Sequence, residues 1–266
     1  MNGAEALIQT LIDGGVEVCF ANPGTSEMQL VAAIGEQDGM RAILGLFEGV
    51  VTGAADGYGR MADKPAATLL HLGPGLGNGL ANLHNAKRAR TPLINIVGDH
   101  AVDHVQHDAP LTSDIVGVAT PMSDWVRTST SPSDLSTAGA EAITAAMEYP
   151  GKIATIIAPG DHAWTDGAAV SAPGKVPDAP TVTDEEIAAA AALMSRPGPG
   201  ALFIGGRALR EEALRQAGRI AAATGARIIS DTSPARLQRG RGRVVVERIP
   251  YFAEMAVEFM EGIEQI

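Results

Sequence analysis

The 266-residue chain has little that would hold it to the outside of a cell or to a polyanion. Cys19 is its only cysteine, so no intramolecular disulfide can form. In the apolar run Val16–Phe20 it reads as a small buried hydrophobe rather than a nucleophile. No Lys or Arg precedes Arg41, which excludes a basic signal-peptide start and an Arg-rich transit peptide. No apolar run approaches the roughly 18 residues that a membrane span needs. Positive charge is short overall, with a formal net charge of -11, and this argues against nucleic acid and anionic membranes as partners. A cytoplasmic protein is the expectation. Aromatics are scarce, so Ala, Val, Ile and Leu must carry the packing, as in α/β proteins with thin helix–sheet interfaces.

Strand-like and helix-like patterns alternate along the chain. Helical spacing over 4–13 stops at Gly14–Gly15, and 16–21 reads as a buried strand. Asn22–Pro23–Gly24–Thr25 is a turn, with Thr25 or Ser26 as the cap of a helix to about Gln37. Strands follow at 41–47, 66–72, 92–98 and 153–158. Helices are expected at 48–62, from the end of a glycine-rich turn (73–79) to about Arg90, and at 133–148. The helix at 48–62 is rich in small residues and suited to close approach by another backbone. The stretch 99–124 is polar and irregular, as active-site loops often are. This alternation implies βαβ units and a doubly wound parallel sheet. A proline-bearing linker at 163–183 separates the domain 1–162 from a second Rossmann-like α/β pattern at 184–266. That second pattern offers two strands (201–205 and 226–230) and about three helices. This is too few for an open sheet of about five or six strands, so it reads as the first part of a domain.

Three groups of residues stand where chemistry is done. Glu48 follows a strand read as buried and opens a helix, at the carboxyl edge where open α/β sheets bind ligands. Between Phe47 and Val50–Val51 it would be partly desolvated, which raises a carboxyl pKa. Its position also suits a first-turn Glu favoured by the helix dipole. His71 ends another strand, before Gly73–Pro74–Gly75–Leu76–Gly77–Asn78, and is either a core histidine or a functional one. The glycines there miss the G-x-G-x-x-G register, which disfavours a nicotinamide-binding domain, and no P-loop Gly-Lys-Ser/Thr follows. His100, His104 and His107 form a third cluster, open to a metal or to a solvated loop. Leu72, Leu76 and Leu111 suggest a nonpolar pocket.

Four separated motifs, taken together, are more specific than any one of them. They are Asn22–Pro23–Gly24–Thr25–Ser26–Glu27, Leu46–Phe47–Glu48–Gly49 with Ala54–Arg60, Gly73–Asn78, and Pro92–Asp99. In order and spacing they resemble the pyrimidine-binding domain of thiamine-diphosphate-dependent enzymes, in the acetolactate synthase large-subunit and benzoylformate decarboxylase branch. Residues 184–231 resemble the start of that family's central domain.

The resemblance implies that Glu48 activates the cofactor. Its carboxyl bonds the pyrimidine ring nitrogen and favours the imino tautomer that deprotonates the thiazolium carbon. The carbanion then attacks a 2-oxoacid, and loss of carbon dioxide leaves an enamine for protonation or carboligation. By the same resemblance His71 is catalytic and substrate-facing, as in the benzoylformate decarboxylase type. Thr25 holds the substrate carboxylate. Pro23, Gly24, Gly73, Pro74, Gly75 and Asn78 line the cofactor and substrate. The cofactor would sit at a subunit interface, so a homodimer or tetramer is implied. Mg2+ and the diphosphate would be held by a missing domain or a partner chain, because the metal-diphosphate motif is absent and no residue here is expected to ligate a metal. FAD is not expected on an incomplete central domain. The chain alone is expected to be inactive. A subunit of a split enzyme and a non-catalytic binding or oligomerisation module remain as alternatives.

Overall fold

The computed structural model describes residues 1–266, which divide into two compact units, Met1–Ala179 and Pro180–Ile266. The first unit is built on a six-stranded, all-parallel sheet of β1 (Val18–Asn22), β2 (Arg41–Leu44), β3 (Ala66–Leu70), β4 (Leu93–Asp99), β5 (Trp125–Thr128) and β6 (Ile153–Pro159). Its order is β2-β1-β3-β4-β6-β5. The helices are α1 (Gly3–Asp13), α2 (Met28–Glu36), α3 (Glu48–Ala62), α4 (Leu72–Ala89), α5 (Ile115–Ala119), α6 (Pro132–Met147) and α7 (Gly160–Trp164).

Each strand's period of two sends its side chains into two cores. Cys19, Ala67, Leu69, Ile94, Ile96 and Ile156 meet α1, α2 and α6 on one face. Val18, Leu70, Leu93, Val97 and Ile157 meet α3, α4 and α5 on the other. Strands buried on both faces with helices on each side make a doubly wound sheet. The Cys19 thiol is buried, and burial pushes its pKa up to about 12, so it stays protonated.

The second face holds one polar row. Thr68 Oγ1 donates to Asn95 Oδ1 (2.8 Å), Asn95 Nδ2 donates to Thr155 Oγ1 (2.9 Å), and Ser123 Oγ shares a bond with Thr155 Oγ1 (2.7 Å). All four side chains are buried. Strand pairing places 68, 95 and 155 side by side across β3, β4 and β6.

Several sequence expectations need correction. The 73–79 segment is not a turn but the first two turns of α4. None of its glycines has a positive φ. Two of them are small for space: a Cβ at Gly73 would overlap Ser113, and one at Gly79 would lie 2.8 Å from Thr52 Cγ2. Leu72 and Leu76, read as pocket-lining, are wholly buried in the second core, and their packing supports a helix that glycine alone would disfavour. Neither Thr25 nor Ser26 caps α2. Thr25–Glu27 is a 3-10 turn, and Glu27 reaches back to the Gly24 N–H (2.7 Å). β2 stops at Leu44 and is not buried, because it is the edge strand with a single neighbour. Phe47 and Val50, expected to desolvate Glu48, face outward. The 99–124 stretch contains α5 and a 3-10 turn at Val105–His107, and β5 follows it.

In α3 the small residues do permit close approach. Thr52 Oγ1 donates to the α4 carbonyl Gly79 O (3.0 Å) and Asn82 Nδ2 to the α3 carbonyl Gly49 O (2.6 Å), joining each helix to the other's backbone.

The second unit comprises α8 (Asp184–Met194), β7 (Ala201–Phe203), α9 (Glu211–Thr224), β8 (Arg227–Ser230), β9 (Glu247–Arg248) and α10 (Ala253–Met260). Its sheet has three parallel strands in the order β7-β8-β9, one more than the sequence suggested; β9 is only two residues long. Helices α8 and α10 bury no residue. No helix of the chain is long and apolar enough to cross a membrane.

Candidate active site

The strand order reverses between β1 and β3: β2 lies beyond β1 on one side, whereas β4 and β6 continue on the other. Loops leaving the carboxyl ends of such neighbours diverge and leave a crevice, the usual ligand position in open α/β sheets. Asn22 and Leu70 are paired at these two ends. The Asn22–Glu27 loop and His71 therefore start level with one another.

His71 precedes α4 and accepts the Gly75 N–H on its carbonyl oxygen (2.8 Å). The next residue, Leu72, has φ of 49°, a left-handed conformation costly for a branched side chain. Its burial holds it there. The His71 side chain is 25% exposed, and its Nδ1 lies 2.8 Å from Glu27 Oε2. Glu27 is fully buried (0%). Burial raises its pKa above the ordinary carboxylate value, opposed by the Gly24 N–H and by His71. Its other oxygen, Oε1, has no hydrogen-bond partner and packs on Gly98, where a Cβ would overlap it. At Gly24 a Cβ would overlap the His71 ring. Glycine at both positions makes room for the pair.

Glu48 is the first residue of α3. Its Oε2 accepts from Asn78 Nδ2 (3.0 Å). A Cβ at Gly75 would lie 3.4 Å from Glu48 Oε1 and 3.4 Å from His71 Cβ, so Gly75 is the floor between the two side chains. Asn22 Nδ2 donates to Gly45 O (3.0 Å) and ties the β1 end to the segment leading to Glu48.

The structure thus brings together Glu48, His71, Gly75, Asn78 and Gly24. Gly73 lies buried under Ser113, and Pro74 is exposed. Pro23 and Thr25 flank Gly24 in the loop; Thr25 is exposed and its side chain bonds neither His71 nor Glu48. Sequence reasoning missed two residues. Glu27 entered only as the last residue of the Asn22–Glu27 motif, although a Glu three residues after Gly24 is a capping-box spacing. Ser113 had no signal in an irregular stretch. The rings of His100, His104 and His107 lie edge against one another, with centroids 5.2 and 5.8 Å apart. No group of three or more His, Cys, Asp or Glu side chains is placed to hold a metal.

A doubly wound domain with a carboxylate and a histidine at its switch point is the class that fold and site define. Residues 1–118 match the family described as thiamine pyrophosphate enzyme, N-terminal TPP binding domain. It is 52% identical over all 266 residues to the acetolactate synthase-like protein IlvX of Mycobacterium tuberculosis, covering 51% of that protein. It is 32% identical over 137 residues to the benzoylformate decarboxylase of Pseudomonas aeruginosa, 51% of this chain and 26% of that one. A solved structure, the thiamine diphosphate-dependent 4-hydroxybenzoylformate decarboxylase of Rhodococcus jostii RHA1, superposes with a TM-score of 0.83 at 23% identity, covering 98% of this chain and 50% of that one. It shares the fold. The chain spans about half the length of both proteins that it matches along its whole extent.

Proposed function

We propose that the chain is the amino-terminal part of a thiamine-diphosphate-dependent enzyme acting on a 2-oxoacid. Residues 1–162 would hold the pyrimidine end of the cofactor, 163–183 would be a linker and 184–266 part of a central domain. The observation that carries this reading is the pairing of Glu48 and His71 across the Gly75 floor. A flat ring needs such a bare backbone, and its ring nitrogen needs the Glu48 oxygen not taken up by Asn78. The residues present fit that half of the cofactor.

When bound, thiamine diphosphate supplies a sink for the electrons left as carbon dioxide departs. Glu48 then bonds the pyrimidine nitrogen. Gly73, Pro74, Gly75, Asn78, Pro23 and Gly24 line the ring and substrate. Thr25 bonds the substrate carboxylate. His71 moves a proton at the reacting carbon. The diphosphate and Mg2+ are assigned to sequence beyond these residues or to a partner chain, in a homodimer or tetramer, in a cytoplasmic setting and without FAD. The activity of the whole is acetolactate synthase-like: decarboxylation, then carboligation to a second carbonyl. A benzoylformate-type decarboxylase is the second reading, favoured by His71, since final protonation of the product calls for an acid at that place.

The pyrimidine assignment is testable on the chain as it is. Titration with a 4-aminopyrimidine, followed by NMR, should give weak, saturable shifts at Gly75 and Asn78. The Glu48→Gln chain should lose them. Equal shifts in both proteins would overturn the assignment.

A further inference from the structure

Glu27 is buried completely beside His71. A buried carboxyl with one unbonded oxygen costs stability, so its retention calls for a physical reason. All its polar contacts lie on one side. Oε2 receives the Gly24 N–H at 2.7 Å and faces His71 Nδ1 at 2.8 Å. Oε1 rests on Gly98 and has no hydrogen-bond partner. The arrangement satisfying most groups puts the imidazole proton on Nδ1, donated to Oε2. The other ring nitrogen, Nε2, makes no hydrogen bond within the chain, and the ring is 25% exposed.

We propose that Glu27 is the positioning residue of the site: it fixes His71 in the Nδ1–H tautomer and so presents Nε2 as a proton acceptor. This rests on the reading of His71 as the proton-moving group. A proton taken up by Nε2 leaves an imidazolium whose Nδ1–H already faces the Glu27 carboxyl, so the new charge forms beside a partner buried with it. The same proton leaves by Nε2 when it is returned. Gly24 is part of the device, because any side chain there would push the ring off Glu27.

Long-range 1H–15N NMR of the purified chain, labelled at histidine, tests this without cofactor or 2-oxoacid. His71 signals are assigned by their loss in His71→Gln. The expected spectrum, above neutral pH, has the proton on Nδ1 and none on Nε2. Glu27→Gln keeps an acceptor oxygen and should keep that tautomer, whereas Glu27→Leu should release the ring to the tautomer mixture of free imidazole. A proton on Nε2 in the unmodified chain would overturn the proposal. So would a Glu27→Leu chain with native circular dichroism and an unchanged tautomer. Should Glu27→Leu fail to fold, the unmodified chain and Glu27→Gln still decide. Failure of the thiamine reading would appear separately, in the aminopyrimidine titration, and would leave the tautomer as observed.

Discussion

Glu27 shows what burial does to one carboxyl. Its folded pKa is raised above the ordinary 4.5, chiefly by burial. Between the unfolded and folded values the native state binds more protons than the unfolded chain. Its contribution is therefore fully present below about pH 4.5 and is lost as pH rises through the folded value. Glu27→Gln carries no such loss. The Tm of the variant relative to the unmodified chain should rise between pH 4 and pH 8, measured by calorimetric scans across that range. A difference that stays constant with pH would contradict the assignment. Neither this pair nor Ser113 was legible from sequence, because a buried polar contact depends on which loops the sheet brings together. Glu48 and His71 drew notice because each follows an apolar run, although the strand before Glu48 ends at Leu44, well short of it.

Among the elements, the buried strands declare themselves by continuous apolar runs, as in Ile153–Pro159, and the start of α3 falls where it was expected. Elements held by tertiary packing do not. The first turns of α4 look like a turn because of their glycines, yet Leu72 and Leu76 draw them into the core. Trp125–Thr128 is four residues long at the far sheet edge, too short for a period to show. The Thr68–Asn95–Thr155 row likewise looks like an interruption of apolar strands and is in fact a bonded ladder. Removing its centre should matter. Asn95→Ala leaves Thr68 and Thr155 short of a partner and should destabilise the first unit by about 1–3 kcal/mol. Urea denaturation followed by circular dichroism measures this; an unchanged midpoint would mean that water replaces the amide.

For the whole molecule, the doubly wound class follows from alternation alone, and the number of strands in the second unit was missed because β9 has two residues. That unit leaves both α8 and α10 without a buried face. The proposed function makes the purified 266-residue chain unable to turn over a 2-oxoacid. Incubation with thiamine diphosphate, Mg2+ and either pyruvate or benzoylformate should release no carbon dioxide above the enzyme-free rate. Turnover would mean that a diphosphate site lies within these residues.

The pairing of Asn22 with Leu70 makes the backbone ladder of two adjacent strands a ruler for the site. Glu27 lies five residues beyond one end and His71 one residue beyond the other, and their contact depends on both counts. Exposed positions in the first loop, such as Thr25, are free to change identity without disturbing that contact. A residue inserted or removed there would shift Glu27 off the ring while leaving the sheet whole. Variation in this part of the molecule is thus constrained in length before it is constrained in composition.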